Sequence, residues 1–131
     1  MQEKIHIDVM RSPLGRVRGL GAAKSGAEHW WVQRATAVAL VPLTVWFVLS
    51  VMGLLGADHA TVVHWIGRPW HAALLLALIA ATFQHLQLGL QVVVEDYIHD
   101  TQLRGATVMG IKGLSLLLGL LAAVSVLKLT F

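Results

Sequence analysis

The sequence contains no cysteine and very little charge. Without cysteine, the chain can form no disulfide, no thiolate metal site and no cysteine nucleophile. Charged residues make up 13% of the sequence and hydrophobic residues 56%, whereas soluble domains carry about 25% charged residues. A chain of 131 residues has too little interior to bury so many apolar side chains. This composition excludes a disordered chain and argues against a soluble globular enzyme. We expect one small membrane domain.

The few charges are unevenly distributed along the chain. Nine of the 17 charged residues lie in residues 1–34, and because no aromatic residues alternate with the basic ones, nucleic-acid binding is not expected. The N-terminal segment together with Arg104 and Lys112 holds eight Lys and Arg residues, against two at the opposite ends of the spans, Arg68 and Lys128. This excess predicts that the N-terminus and the second loop face the cytoplasm. No apolar signal core precedes the spans and no internal repeat is evident.

Three long apolar stretches predict an all-α fold. We expect an N-terminal segment over 1–34 on the cytoplasmic side and a membrane domain over 35–131, with helices at about 35–57, 70–96 and 105–128. Each stretch reaches the roughly 20 residues needed to cross a bilayer. A soluble helix bundle is excluded because residues 37–55 offer only Thr44 and Ser50 as polar side chains.

The second stretch carries polar residues at membrane depth. His85 lies among Gln84, Gln87 and Gln91, roughly 18 Å along the helix from Tyr97 and therefore near the bilayer midplane. Such a histidine can ligate a metal, relay protons or hydrogen-bond to another helix. Gly89 follows one turn later on the same face and opens a slot for a flat macrocycle or another backbone. Asp96 falls close to the same stripe.

Haem b is the cofactor that best suits a single histidine at this depth. Non-haem iron or zinc would need further histidines or carboxylates at the same level, and the sequence has none there. With one midplane histidine, a six-coordinate haem would take its second ligand from another polypeptide. His71, 14 residues before His85, could in principle serve a second haem, but no matching pair exists, and we interpret it as an interfacial residue.

The end of the second helix, Glu95-Asp96-Tyr97, admits two interpretations. It is either a solvated helix end with an interfacial tyrosine or part of a quinone site. A tyrosine hydroxyl beside a carboxylate can donate a hydrogen bond to a quinone oxygen and exchange protons with it.

Two segments resemble the hydrophobic membrane anchor of succinate dehydrogenase (respiratory complex II), in its alphaproteobacterial branch. Of the two anchor proteins in that complex, the resemblance is to the smaller partner of the cytochrome b556-type one. One segment is His85-(x)3-Gly89-(x)6-Asp96-Tyr97. The other is the approach to the first span, Ser12 to Gly21 followed by Glu28 to Ala37. The resemblance covers most of residues 12–100, and the third span matches only as a generic apolar helix.

This resemblance implies a three-helix anchor that pairs with a cytochrome b556-type anchor protein into a larger helix bundle with one haem b between them. It implies that His85 is an axial ligand of the haem iron, that Arg34 meets a haem propionate and that Tyr97, with Asp96 beside it, contacts ubiquinone. An iron–sulfur protein and a flavoprotein would complete the complex. Succinate would be oxidised by those other chains, so no catalytic residue for succinate is expected here. The implied location is the bacterial inner membrane, with several crossings and a cytoplasmic N-terminus.

Two other functions are compatible with the polar stripe. A small homo-oligomeric transporter or proton-relay protein would use His85 and Asp96 as relay groups and would contain no haem. An assembly factor without a cofactor is the third alternative, but the cost of placing His85 within the membrane argues against it.

Overall fold

The structure is a computed structural model that describes residues 13–14 and 26–131. Apart from Pro13 and Leu14, the motif from Ser12 to Gly21 lies outside the described residues. The same holds for most of the basic residues of the N-terminal segment, namely Lys4, Arg11, Arg16, Arg18 and Lys24.

Within the described residues the chain forms four helices and no strand, and the prediction of an all-α fold is confirmed. The helices are α1 (Gly26–Gly53), α2 (His59–Ile66), α3 (Pro69–Tyr97) and α4 (Thr101–Thr130). By length and composition α1, α3 and α4 can each cross a membrane. Helix α1 begins at Gly26 rather than near residue 35, because a helix does not end where the hydrocarbon layer does. Helix α2 occupies a stretch expected to be a loop.

Aspartates cap two of the helices. The Asp58 carboxylate accepts a hydrogen bond from the Thr61 backbone N–H at 3.0 Å and starts α2. Asp100 accepts one from Leu103 at 2.7 Å and starts α4. The hydrogen bonds from Thr61, that of its side chain first, lower the pKa of Asp58 below its ordinary value. The turn between α1 and α2 needs Gly56, whose φ is +81°.

Helix α3 is the centre of the bundle and packs against both α1 and α4. It contributes four of the five buried residues found in the described part of the chain, Ala72, Leu75, Leu88 and Gln91, and Ser115 on α4 is the fifth. Most large apolar side chains point outward, as a lipid environment requires. The turn at Gly67 approaches the last turn of α4, and a Cβ there would lie 3.5 Å from the Leu129 carbonyl oxygen.

Candidate functional site

A partly open groove of about 510 Å³ runs between the beginning of α1 and the second half of α3. This volume falls within the range of small-molecule sites. We call it the α1–α3 groove; its polar and aromatic lining residues include His29, Trp30, Arg34, His85, Gln91 and Glu95. The groove thus brings together two residues predicted from the sequence, His85 and Arg34.

His85 is held in the groove by a hydrogen bond to α1. Its Nδ1 lies 3.1 Å from the Thr36 hydroxyl oxygen. That same oxygen lies 2.8 Å from the Val32 carbonyl oxygen and 3.0 Å from the Gln33 carbonyl oxygen. Carbonyl oxygens only accept, so the single hydroxyl hydrogen of Thr36 is directed toward the backbone of α1. The hydroxyl oxygen must therefore accept from His85, and Nδ1 carries the hydrogen.

This arrangement decides which ring nitrogen of His85 can bind a ligand. With Nδ1 donating to Thr36, Nε2 is the nitrogen whose lone pair is available in the groove. The hydrogen bond between helices, one of the three roles expected for this histidine, is present and occupies only Nδ1. Metal-bound histidines commonly donate their second ring N–H in this way, which fixes the ring orientation.

Arg34 lies at the opening of the same groove. Its guanidinium carbon is 4.3 Å from the centre of the Trp30 ring, a cation–π contact that holds the charge beside the cavity. Arg34 itself is exposed. A guanidinium in this position can pair with an acidic group of a molecule bound in the groove.

Gly89 faces the side chain of Gln33. A Cβ built on Gly89 would lie 3.6 Å from the Gln33 amide nitrogen, which is ordinary van der Waals contact. The space expected beside Gly89 is thus bordered by a polar α1 side chain. The Gln33 Oε1 atom is buried and has no hydrogen-bond partner within the described residues.

Gln91 and Glu95 form a polar pair in the groove that the sequence reasoning did not single out. The Gln91 amide nitrogen donates to the Glu95 carboxylate at 2.7 Å. Gln91 is only 9% exposed, and its Oε1 is buried without a partner within the described residues. The signal available in the sequence was the spacing, because residues four apart lie adjacent on one helix face.

Asp96 and Tyr97 lie outside the groove in this chain. Asp96 is exposed, and Tyr97, the last residue of α3, is 79% exposed. Of the acidic residues at the end of α3, the structure therefore brings Glu95, not Asp96, to the groove that contains His85.

The opposite end of the bundle holds an aromatic cluster made of Trp46, Trp65 and His71. The rings of Trp65 and His71 stack with centres 4.2 Å apart, and Trp46 lies 5.8 Å from Trp65 and 6.2 Å from His71. The Trp65 carbonyl accepts a 2.7 Å hydrogen bond from His71 Nδ1. This histidine joins α3 to α2 and packs between ring faces.

The described residues contain no group of three His, Cys, Asp or Glu side chains that converge on one point. A bare metal ion has no ligand set in this part of the chain. Haem is different, because its macrocycle supplies the equatorial nitrogens and the protein needs to provide only axial ligands. One imidazole with a free Nε2 beside a groove and a cation fits that requirement.

The family model described as "Succinate dehydrogenase/Fumarate reductase transmembrane subunit" matches residues 8–127 of the chain. The chain is 33% identical over 107 residues to the "Succinate dehydrogenase hydrophobic membrane anchor subunit" of Rickettsia bellii, covering 82% of this chain and 86% of that protein. It is 26% identical over 100 residues to the protein of the same name from Paracoccus denitrificans, covering 76% and 78%. The "Succinate dehydrogenase membrane anchor subunit" of Reclinomonas americana is 30% identical over 84 residues, covering 62% and 70%. No solved structure matches the chain.

Proposed function

Because the chain belongs to the succinate dehydrogenase/fumarate reductase transmembrane subunit family, we propose that it anchors a succinate:quinone oxidoreductase in the membrane and supplies one axial ligand to haem b. The relatives are named membrane anchor subunits of succinate dehydrogenase. Three helices long and apolar enough to cross a bilayer suit that role. The cofactor, the quinone and the individual partners form the finer part of the proposal.

The observation that carries the haem proposal is the hydrogen bond from His85 to Thr36. It directs the imidazole so that Nδ1 is used by α1 and Nε2 remains free beside the α1–α3 groove. A ligand histidine at membrane depth needs both properties, because an unconstrained ring would rotate and an unpaired Nδ1–H would be costly there.

Other residues of the groove suit the periphery of a haem. Arg34 would pair with a propionate, and Gly89 would let the macrocycle approach α3. The second axial ligand would come from a cytochrome b556-type anchor protein, since His85 is the only histidine of α3 near the midplane. When bound, haem b supplies a one-electron redox centre.

We assign the quinone site to the same end of the bundle. Tyr97 would donate a hydrogen bond to a ubiquinone oxygen, with Asp96 as its acidic neighbour. Both are exposed at the end of α3, so partner proteins can complete a site around them. The electrons would come from an iron–sulfur protein that docks on this end, and a flavoprotein would oxidise succinate.

The proposed orientation has the beginning of α1 and the loop between α3 and α4 on the cytoplasmic side of a bacterial inner membrane. Arg34, Arg104 and Lys112 lie toward this end, and Arg68 and Lys128 lie toward the other. The docking end for the iron–sulfur protein is then the cytoplasmic one.

Purification of the intact assembly tests this function. The anchor proposal predicts that a flavoprotein and an iron–sulfur protein co-purify with the chain and that dithionite reduction produces a b-type absorption spectrum. A colourless homo-oligomer would contradict it and would favour a transporter or proton relay that uses His85 and Asp96. Replacing Tyr97 with phenylalanine should impair quinone reduction without preventing assembly, and unchanged quinone kinetics would remove Tyr97 from the site.

A further inference from the structure

Glu95 lies between two cavities. On one side it lines the α1–α3 groove with His85 and Arg34. On the other it lines a second cavity of about 340 Å³ beside the first turns of α4, together with Thr101, Arg104 and Lys112. Within the described residues it is the only carboxylate that lines both cavities.

Gln91 holds the Glu95 carboxylate in this position. The 2.7 Å hydrogen bond from the amide nitrogen joins residues one turn apart on α3. Gln91 is more than nine-tenths buried, and its Oε1 has no donor within the described residues. A buried acceptor left without a donor costs about 1–3 kcal/mol. This atom therefore indicates that the occupied groove contains a hydrogen-bond donor, as a quinol hydroxyl or a water molecule would be.

We propose that Glu95, positioned by Gln91, donates protons to the quinone oxygens and is reprotonated from the second cavity. This inference rests on the proposed quinone-reducing function. Reduction of a quinone to a quinol consumes two electrons, supplied by the iron–sulfur protein, and two protons. In each transfer the carboxyl O–H bond breaks, an O–H bond forms at the quinone, and the carboxylate takes a new proton from water.

The groups around Glu95 suit such a cycle. The titratable and charged side chains that share its cavities are His29 and Arg34 from α1, His85 from α3, and Arg104 and Lys112 from α4. The cations among them stabilise the carboxylate that remains after each transfer. The route is distinct from one through Tyr97, which lies outside the groove.

The test compares Glu95→Gln with Glu28→Gln in the purified complex. Glu28 is an exposed glutamate in the first turn of α1 that does not line the groove. Glu95→Gln should lower kcat for quinone reduction at least about tenfold, since general acid catalysis contributes factors of about 100 or more. KM and the rate with a phenazine dye as electron acceptor should change little. Glu28→Gln should behave like the parent.

Two further variants separate proton transfer from a structural role. Glu95→Asp keeps the acid and should recover part of kcat, and Gln91→Met should lower kcat with a loss that grows as pH rises. A Glu95→Gln complex whose kcat stays within about twofold of the parent would overturn the inference. So would an equal loss in Glu95→Gln and Glu95→Asp with a parent-like pH profile. If the parent complex itself reduces no quinone, the proposed function fails instead.

Discussion

Helix α3 carries two histidines in its membrane-spanning length, and their surroundings differ. Each uses Nδ1 in a hydrogen bond to an oxygen of another helix, His85 to the Thr36 hydroxyl at 3.1 Å and His71 to the Trp65 carbonyl at 2.7 Å. His71 stacks against Trp65 with ring centres 4.2 Å apart and has Trp46 close by. His85 instead lines the α1–α3 groove with Arg34.

The comparison shows that a hydrogen bond between helices does not by itself distinguish a structural histidine from a ligand. The ring faces and the free nitrogen do. Where aromatic rings cover the imidazole, it contributes packing, and where the imidazole lines a cavity beside a cation, its Nε2 can bind a metal centre. We therefore assign packing to the His71 end and cofactor binding to the His85 end.

The largest expected effect on stability is at the aromatic cluster. Trp65→Ala removes the stacks with both His71 and Trp46 and should destabilise the membrane domain by about 3 kcal/mol, the lower end for tryptophan truncation. Thermal unfolding of the purified complex measures this loss, and the b-type spectrum below the transition should not change. Trp70→Ala is the matched control, because Trp70 is 72% exposed. Equal losses in the two variants would remove the structural role of the cluster.

The next effect concerns the orientation of His85. Thr36→Val keeps the shape of the side chain but removes the acceptor for Nδ1–H, and loss of such a partner costs about 10- to 100-fold in metal-centre affinity. We expect less haem per complex in Thr36→Val and parent-like haem content in Thr36→Ser, which keeps the hydroxyl. Haem content is measured from the reduced spectrum per flavin. Full haem content in the valine variant would show that Thr36 does not position the ligand.

A smaller effect is expected at Arg34. Arg34→Gln removes the cation–π contact with Trp30, worth about 0.5–1 kcal/mol at an exposed site, and a positive charge that favours the reduced haem. Potentiometric titration should give a midpoint potential lower by a few tens of mV, on the scale of about 59 mV per tenfold change. Arg34→Lys should retain most of the potential. A parent-like potential in Arg34→Gln would place Arg34 away from the haem.

The smallest effect on folding is expected at Gly89. The added methyl group of Gly89→Ala meets only Gln33 at ordinary contact distance, and alanine favours a helix by about 0.5–1 kcal/mol over glycine. Unfolding of the variant should therefore be unchanged or slightly later. Haem content should fall if the macrocycle approaches α3 here. Unchanged haem content would assign Gly89 to helix packing alone.

Much of this fold was predictable because membrane helices are specified by length and hydropathy. The spans around Pro42, His85 and Ser115 were visible as uncharged stretches. The short helix α2 was not, since its eight residues lie between two spans and depend on the Asp58 cap. The start of α1 was missed for a related reason, as Arg34 ends the apolar run but not the helix.

The candidate site was predictable where it depends on one helix. His85 stood out as a costly side chain at membrane depth, and Arg34 as the charge before the first span. Thr36 was not predictable as its partner, because 49 positions separate the two residues and only packing of α1 on α3 joins them. Glu95 was grouped with Asp96 and Tyr97 by sequence, and only the packed structure shows which acidic residue lines the groove.

The central claim, that two histidines of one helix have different roles, is tested most directly by the optical spectra of the complexes with His85→Ala and His71→Ala. Both changes remove an imidazole from α3. We predict that dithionite-reduced His85→Ala complex loses or shifts its b-type bands, whereas His71→Ala keeps the parent spectrum and unfolds at a lower temperature. An unchanged b-type spectrum in His85→Ala would contradict the account.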